Sequence, residues 1–330
     1  MRNRQSEITD FLNDTTWADA TGAPLNQDAS FRQYTRLTLG KQSAMLMDAL
    51  PPEKPVAEFD RIAKHLASLG VRAPQSLKLD NENGLMLLED FGDITFTQAL
   101  KRGDSESALY AMATDLLTQL HSQPTAASIS LPAYDLDVLQ QEAALLLEWF
   151  YPYVMQSTPS AQISQNYQNA WQEVFKNLDD LPSTIVLRDY HIDNLMVVEQ
   201  GGTTQCAVLD FQDALLGHPA YDLVSLLQDA RRDISGALIE EMLSRYFSAN
   251  SGYRAAFMPW YHALGAQRHC KVLGIFVRLF ERDAKGVYLQ HLPRVVRLLA
   301  QCLAQSNLKP VRTWFEQHLN LDNLNLPPNS

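Results

Sequence analysis

Cysteine is scarce in this chain: three residues among 330, at positions 206, 270 and 302, with no C-x-x-C pair. An odd, dispersed set supports neither a disulfide framework nor a zinc site, and such thiols read as buried or incidental. Basic residues are in deficit, 27 Lys and Arg against 38 Asp and Glu, for a formal net charge of -11. That balance argues against a protein that grips a nucleic-acid backbone through broad electrostatics, so a bound anion has to be met by a local cation. Long apolar runs are also missing. Nowhere do 18 apolar residues follow one another, and the opening MRNRQSEITDFLND has no signal-peptide core. The expectation is a cytoplasmic protein with no nucleic-acid or membrane partner, a monomer or weak oligomer. What is present, 46% hydrophobic and 20% charged residues, is a globular balance that excludes wholesale disorder and fibrous repeats.

The pattern changes once along the chain. From Tyr34 to Asp48 two short runs flank Gly40-Lys41-Gln42 and read as a β-hairpin. Pro51, Pro52 and Pro55 then break the sheet. Phe59, Ile62, Leu66 and Leu69 recur at helical spacing before Gly70, and LMLLEDFGD is a strand that leaves through acidic residues. Beyond Gly92 helical periodicity dominates, over Ser105 to His121, Asp135 to Tyr151 and Ser160 to Leu178, and again from Tyr221 to about Leu303. It is interrupted by short strands between Thr184 and Phe211 with a turn at Gly201-Gly202. Asn320 to Ser330 reads as a loose tail. The fold class expected is α+β and bilobal, with a small β-rich lobe over 1–91 and a larger, mainly helical lobe over 92–330.

The most informative stretch is Leu187-Arg188-Asp189-Tyr190-His191-Ile192-Asp193-Asn194, followed by Leu209-Asp210-Phe211-Gln212-Asp213. An Asp, four residues, an Asn, and a second strand-borne Asp shortly afterwards is the layout of phosphoryl transfer in kinases. One carboxylate accepts the acceptor hydroxyl's proton, while Asn and the second Asp offer the oxygen ligands that Mg²⁺ prefers. Each of these residues alone is equally a polar turn or a cap. Their ordered conjunction points to chemistry.

On these residues the chain resembles the aminoglycoside phosphotransferase and choline kinase group of the protein-kinase-like fold. There the loop usually reads H-G-D-x-x-x-x-N; here Leu187-Arg188 replace His-Gly. A narrower resemblance, carried by ASFRQY, LMDALPPE, RDYHIDNL, LDFQDAL and YDLVSLLQDARR, is to bacterial amino-sugar anomeric kinases of cell-wall recycling. These use ATP to phosphorylate the C1 hydroxyl of N-acetylmuramate and N-acetylglucosamine. The resemblance implies Asp189 as catalytic base, Asn194 and Asp210 as Mg²⁺ ligands, and Asp222 as the carboxylate holding the catalytic loop's backbone. It implies backbone contacts to adenine from Leu88, Glu89 and Asp90, ATP and Mg²⁺ as cofactors, a nucleotide-covering first lobe, and a second lobe that binds the sugar.

Two departures stand out. Ala44-Met45-Leu46-Met47-Asp48 occupies the strand where kinases place a phosphate-binding lysine, and Asp28 to Tyr34 replaces the glycine-rich loop. Arg32 or Arg36 is expected to supply the missing positive charge, although both also fit a solvated strand edge. For the acceptor, His191 and Asp213 lie beside the key loops, while Gln228, Asp229, Arg231 and Arg232 follow the Asp222 helix and are candidates to line a sugar cleft, where an arginine would match a lactyl carboxylate. The rivals are a kinase for another small alcohol (an aminoglycoside, choline or homoserine) and a catalytically silent nucleotide-binding scaffold.

Overall fold

A two-residue turn sets the first sheet. In the computed structural model, which describes residues 3–25, 32–49, 56–248 and 253–326, Gly40 takes φ 61° and joins β2 (Arg32–Leu39) to β3 (Gln42–Ala49) with Leu39 opposite Gln42. The breaker prolines Pro51, Pro52 and Pro55, the loop Asp28 to Phe31 and the last four residues of the tail lie outside the described residues. Chain order is α1 (Arg4–Asn13), β1 (Thr21–Pro24), β2, β3, α2 (Val56–Ser68), β4 (Ser76–Asp80), β5 (Leu85–Glu89), α3 (Phe96–Lys101) and α4 (Glu106–Ser122). There follow α5 (Leu136–Leu145), α6 (Tyr151–Met155), α7 (Ala161–Lys176), β6 (Thr184–Val186), β7 (Leu195–Gln200), β8 (Thr203–Val208) and β9 (Leu215–Gly217). The chain ends through α8 (Ala220–Leu227), α9 (Gly236–Ser248), α10 (Arg254–Glu281), α11 (Leu292–Leu303) and α12 (Lys309–His318). No helix among the described residues is long and apolar enough to cross a membrane.

The chain divides into two compact units, Met1–Leu116 with Ile192–Ala214, and Leu117–His191 with Leu215–Ser330. This differs from lobes at 1–91 and 92–330, and hydrogen bonding gives the reason. The β7–β8 hairpin is tied to the first unit: Val197 N–H donates to the Ile94 carbonyl and Val208 N–H to that of Arg72, both at 2.8 Å.

In the first unit the sheet runs β1-β2-β3-β5-β4, all antiparallel. Strand alternation puts Leu37, Ala44, Leu46, Leu85 and Leu87 on one face, where Phe11 of α1 and Trp17 complete the core. The same alternation puts Arg32, Tyr34 and Arg36 on the opposite face with Met45 and Met47. Neither α1 nor β1 was expected from the sequence. Its α1 helix has too few apolar positions for its period to stand out.

The second unit is built on α10, 28 residues long, which packs against α5, α8 and α11. The helix expected over Asp135 to Tyr151 widens into one π turn at Leu146–Phe150 between α5 and α6. Gly274 of α10 meets the chain there, because a Cβ at this position would lie 2.2 Å from the Leu145 carbonyl oxygen. Alanine usually gains about 1 kcal/mol over glycine inside a helix, but overpacking against backbone costs about 1–3 kcal/mol. Gly274→Ala is therefore expected to lower the urea midpoint, by about 2 kcal/mol in stability. Gly236→Ala, at a position with open space around it, should leave the midpoint unchanged or slightly raised. Equal stability of Gly274→Ala and the wild type would refute this packing argument.

Candidate functional site

Asp189 is delivered by a short buried strand. All three residues of β6 are buried, and the strand pairs with β9 before the chain turns through Leu187 and Arg188. Arg188 takes φ 70°, a left-handed conformation that costs a residue with a side chain about 1–3 kcal/mol. The backbone N–H groups of Leu187 and Arg188 donate to the two carboxylate oxygens of Asp222, at 2.7 and 2.8 Å. Hydrogen bonds to a charged acceptor contribute about 1.5–3 kcal/mol each, enough to hold the turn. Complete burial pushes the Asp222 carboxyl up to about 7, against these two amides, which favour its charge.

The Arg188 guanidinium is itself anchored. It bonds Glu142 of α5, which also accepts from Lys271 of α10 at 2.8 Å and from the Tyr134 hydroxyl. Burial opposes the Glu142 charge, yet Lys271 and Arg188 outweigh it and hold the group below its ordinary range. Asp189, half-buried, follows the same logic: desolvation is overcome by Lys271, His191, Arg268 and Arg188, so its carboxyl is ionised at neutral pH. His191 donates its backbone N–H to the Asp189 carbonyl, 3.1 Å, and burial pushes its imidazole below the usual value despite Asp229. Asp229 is buried and accepts from the Arg231 N–H at 2.8 Å, while the Arg231 guanidinium lies 5.8 Å from the centre of the Phe276 ring. His191, Asp229 and Arg231 thus lie within electrostatic reach of one another, and Asp189 reaches His191.

Asn194 and Asp210 belong to the first unit, with Asp213. The turn Gly201-Gly202, with φ 59° and 78°, closes β7 on β8 so that Leu195 opposes Val208. At the open end Leu209 N–H donates to the Asn194 carbonyl, 2.8 Å, which brings Asn194 and Asp210 side by side. Asp210 is exposed and has φ 58°, the second left-handed residue of the motif. Gln212 holds it with Nε2 to Oδ1 at 2.6 Å and reaches Asp213 at 3.4 Å. Phe211 is buried against Phe59 of α2, ring centres 4.7 Å apart.

The residues expected at the nucleotide are largely engaged with one another. Arg36 bonds Asp90, Asp93 at 2.7 Å and the Gly92 carbonyl at 3.0 Å. Burial opposes the Asp90 charge, but the Gly92 N–H, Ser43 and Arg36 keep that carboxyl below its ordinary range. Glu89 pairs with Arg72, and Leu88 is core. The side chains of Glu89 and Asp90 therefore brace the strand exit. Arg32 lies against Tyr34, whose hydroxyl is pushed up to about 12 by burial and by the Asp210 charge. At the lysine-less strand, buried Asp48 accepts from Arg4 of α1 at 2.5 and 3.2 Å.

Sequence reasoning missed Glu142, Lys271, Arg268 and Tyr34. Glu142 lies 46 residues before Arg188 and Lys271 lies 129 after Glu142, so no local spacing joins them.

Among known proteins, the model of the phosphotransferase enzyme family matches residues 21–260, and this chain belongs to that family. It is 31% identical to the N-acetylmuramate/N-acetylglucosamine kinase of Caulobacter vibrioides, over 97% of this chain and 98% of that protein. It is 34% identical to the protein of the same name from Pseudomonas putida, over 87% and 86%. In fold it is similar to an ADP-bound aminoglycoside phosphotransferase, TM-score 0.60 at 14% identity, covering 91% of this chain and 98% of that one. The architecture is accordingly α+β and protein-kinase-like.

Asp222→Asn keeps the shape but leaves one acceptor for two donors. We expect a loss of about 1–3 kcal/mol in urea denaturation, the cost of a buried unsatisfied N–H, together with weakened catalysis. A variant as stable and as active as the wild type would show that the Arg188 turn stands without Asp222.

Proposed function

We propose that this chain is an ATP-dependent kinase that phosphorylates the anomeric C1 hydroxyl of N-acetylmuramate and N-acetylglucosamine, in the cytoplasm, during peptidoglycan recycling. The observation that carries the reading is the ordered set Asp189, Asn194 and Asp210 in a chain 31% identical, nearly end to end, to a kinase named for these two sugars.

Asp189 is the base. It is ionised at neutral pH because nearby cations outweigh its burial, and it takes the proton of the anomeric hydroxyl as phosphorus is attacked in line. A carboxylate is adequate for this, since the ring oxygen makes an anomeric hydroxyl more acidic than an ordinary alcohol. Asn194 and Asp210 suit a hard divalent cation in kind: one carries an amide oxygen and the other a carboxylate, and their backbones flank the open end of one hairpin. Mg²⁺ takes one or two such protein ligands and completes its shell with phosphate and water. When bound, it neutralises charge on the nucleotide phosphates. Backbone groups of Leu88, Glu89 and Asp90 serve the adenine, since the two acidic side chains are already paired. Of the two arginines proposed for the phosphates, Arg32 lies beside Tyr34 and Arg36 is bonded to Asp90 and Asp93. Residues 1–91 are assigned to covering the nucleotide and 92–330 to catalysis and sugar binding. His191, Asp213, Asp229 and Arg231 face the acceptor, with the chain acting as a monomer or weak oligomer.

With ATP, Mg²⁺ and either sugar, phosphorus NMR should show the doublet of a sugar C1 phosphate. Asp189→Asn should lower kcat by about 10²–10⁴-fold, the contribution of a general base, with its melting temperature unchanged. Turnover with choline, homoserine or an aminoglycoside alone would move the reading to another alcohol, and nucleotide binding without any turnover would favour a scaffold. Separately, Asp210→Asn should raise the Mg²⁺ concentration at half-maximal rate by about tenfold or more. An unchanged Mg²⁺ dependence would remove Asp210 from the metal.

A further inference from the structure

Asp189 is the last residue of a strained turn. Its backbone N–H donates to the Leu187 carbonyl at 2.9 Å, so Leu187-Arg188-Asp189 close a three-residue turn with Arg188, at φ 70°, in the middle. A γ-turn with positive φ at its centre is rare and strained, and glycine would take it at least cost. Such a conformation persists only where the surroundings over-determine it. Asp222 supplies one constraint, but it accepts from backbone N–H groups, which a glycine at position 188 would offer equally. The arginine side chain supplies the second. Its guanidinium bonds Glu142 of α5 and lies 5.7 Å from the centre of the Tyr134 ring. The pair is shielded from water, with 21% of the Arg188 side chain and 11% of the Glu142 side chain exposed. Glu142 would keep partners without Arg188, because Lys271 of α10 donates to it at 2.8 Å and the Tyr134 hydroxyl donates as well.

We propose that Glu142 is a positioning residue for phosphoryl transfer: by holding the Arg188 guanidinium it locks the turn that ends at Asp189, and so aims the carboxylate that takes the acceptor's proton. The inference rests on the reading of Asp189 as base. Arg188 and Asp189 are joined by one peptide bond, so a rotation of the turn passes directly to the carboxylate. The clamp on the Arg188 backbone comes from Asp222 of α8, and the clamp on its side chain from Glu142 of α5. Asp222 alone fixes two N–H groups but leaves the chain beyond them to relax. An arginine at this position thus exchanges the backbone ease of a glycine for a side-chain tether.

The experiment is a double-mutant cycle on the full chain, read as kcat and KM with ATP, Mg²⁺ and N-acetylglucosamine. Arg188→Gly, which relieves the turn but cuts the tether, should fold and lower kcat by about 10- to 100-fold, the effect of misplacing a catalytic group by about 1 Å. Glu142→Gln, which keeps the side chain's shape, should do the same, with KM for ATP and sugar unchanged in both. Because the two residues act as one device, the double variant should be no slower than Arg188→Gly alone. Losses that multiply overturn the proposal, as does wild-type kcat in either single variant. So does a rise in KM for the sugar without a fall in kcat, which would make the pair a sugar contact. If Glu142→Gln does not fold, Arg188→Lys decides. A rate well above that of Arg188→Gly supports the proposal, since lysine keeps a bond to Glu142, and a rate equal to it overturns the proposal. A fully active Asp189→Asn would instead defeat the reading of the base, whereas a slow Asp189→Asn beside a fast Glu142→Gln defeats the tether alone.

Discussion

Two backbone N–H groups bonded to one buried carboxylate hold the loop that leads into Asp189 in its shape. Leu187 and Arg188 donate to the two oxygens of Asp222, and this fixes a left-handed turn that Arg188 would otherwise avoid. The turn does two things at once. It sends the Arg188 side chain toward Glu142, and it presents the next residue, Asp189, with a defined direction. Remove the carboxylate and the loop keeps its sequence but loses its geometry. The same logic recurs at Asp210, where a second left-handed residue is held by Gln212 and by the burial of Phe211 against α2.

Charge is arranged locally, as a chain of net charge -11 requires. In the second unit Glu142 gathers Arg188 and Lys271, leaving enough positive potential to keep Asp189 ionised in spite of its burial. In the first unit Arg36 neutralises Asp90 and Asp93, and Arg72 neutralises Glu89. All three pairs sit at the strand exit, so the acidic segment Glu89 to Asp93 is stitched to the sheet. Ion pairs of this sort contribute little when fully exposed. Apart from the exposed Asp93, these groups are buried or half-buried and several share a partner, and their value lies in fixing geometry.

Elements whose cause is local were legible in the sequence. The hairpins at Gly40 and Gly201-Gly202 follow from residues that tolerate positive φ, and the α2 stripe from apolar spacing that the helix buries at Phe59, Ile62 and Leu66. The proximity of Asn194 to Asp210 was legible too, because a tight hairpin returns its two ends to the same place. What stayed hidden depends on contacts between distant segments. Nothing near Glu142 marks it as the partner of Arg188, and nothing in α1 says that Arg4 reaches Asp48. The division into units was hidden for the same reason, since it turns on hydrogen bonds that a hairpin over a hundred residues away donates to the carbonyls of Arg72 and Ile94.

The strand position at Asp48 shows how a missing residue is absorbed. A lysine there would be a cation on β3; this chain has an anion, and an anion in a buried sheet has to be compensated. Arg4 does so from α1, with Glu7 sharing the same guanidinium. By strand alternation Asp48 shares its face with Ala44 and Leu46, the face that α1 covers, whereas Arg32, Tyr34 and Arg36 lie on the other. The inverted charge is thus turned away from the face that carries the arginines. On that arginine face Arg36 is committed to Asp90 and Asp93, and Arg32 lies against Tyr34.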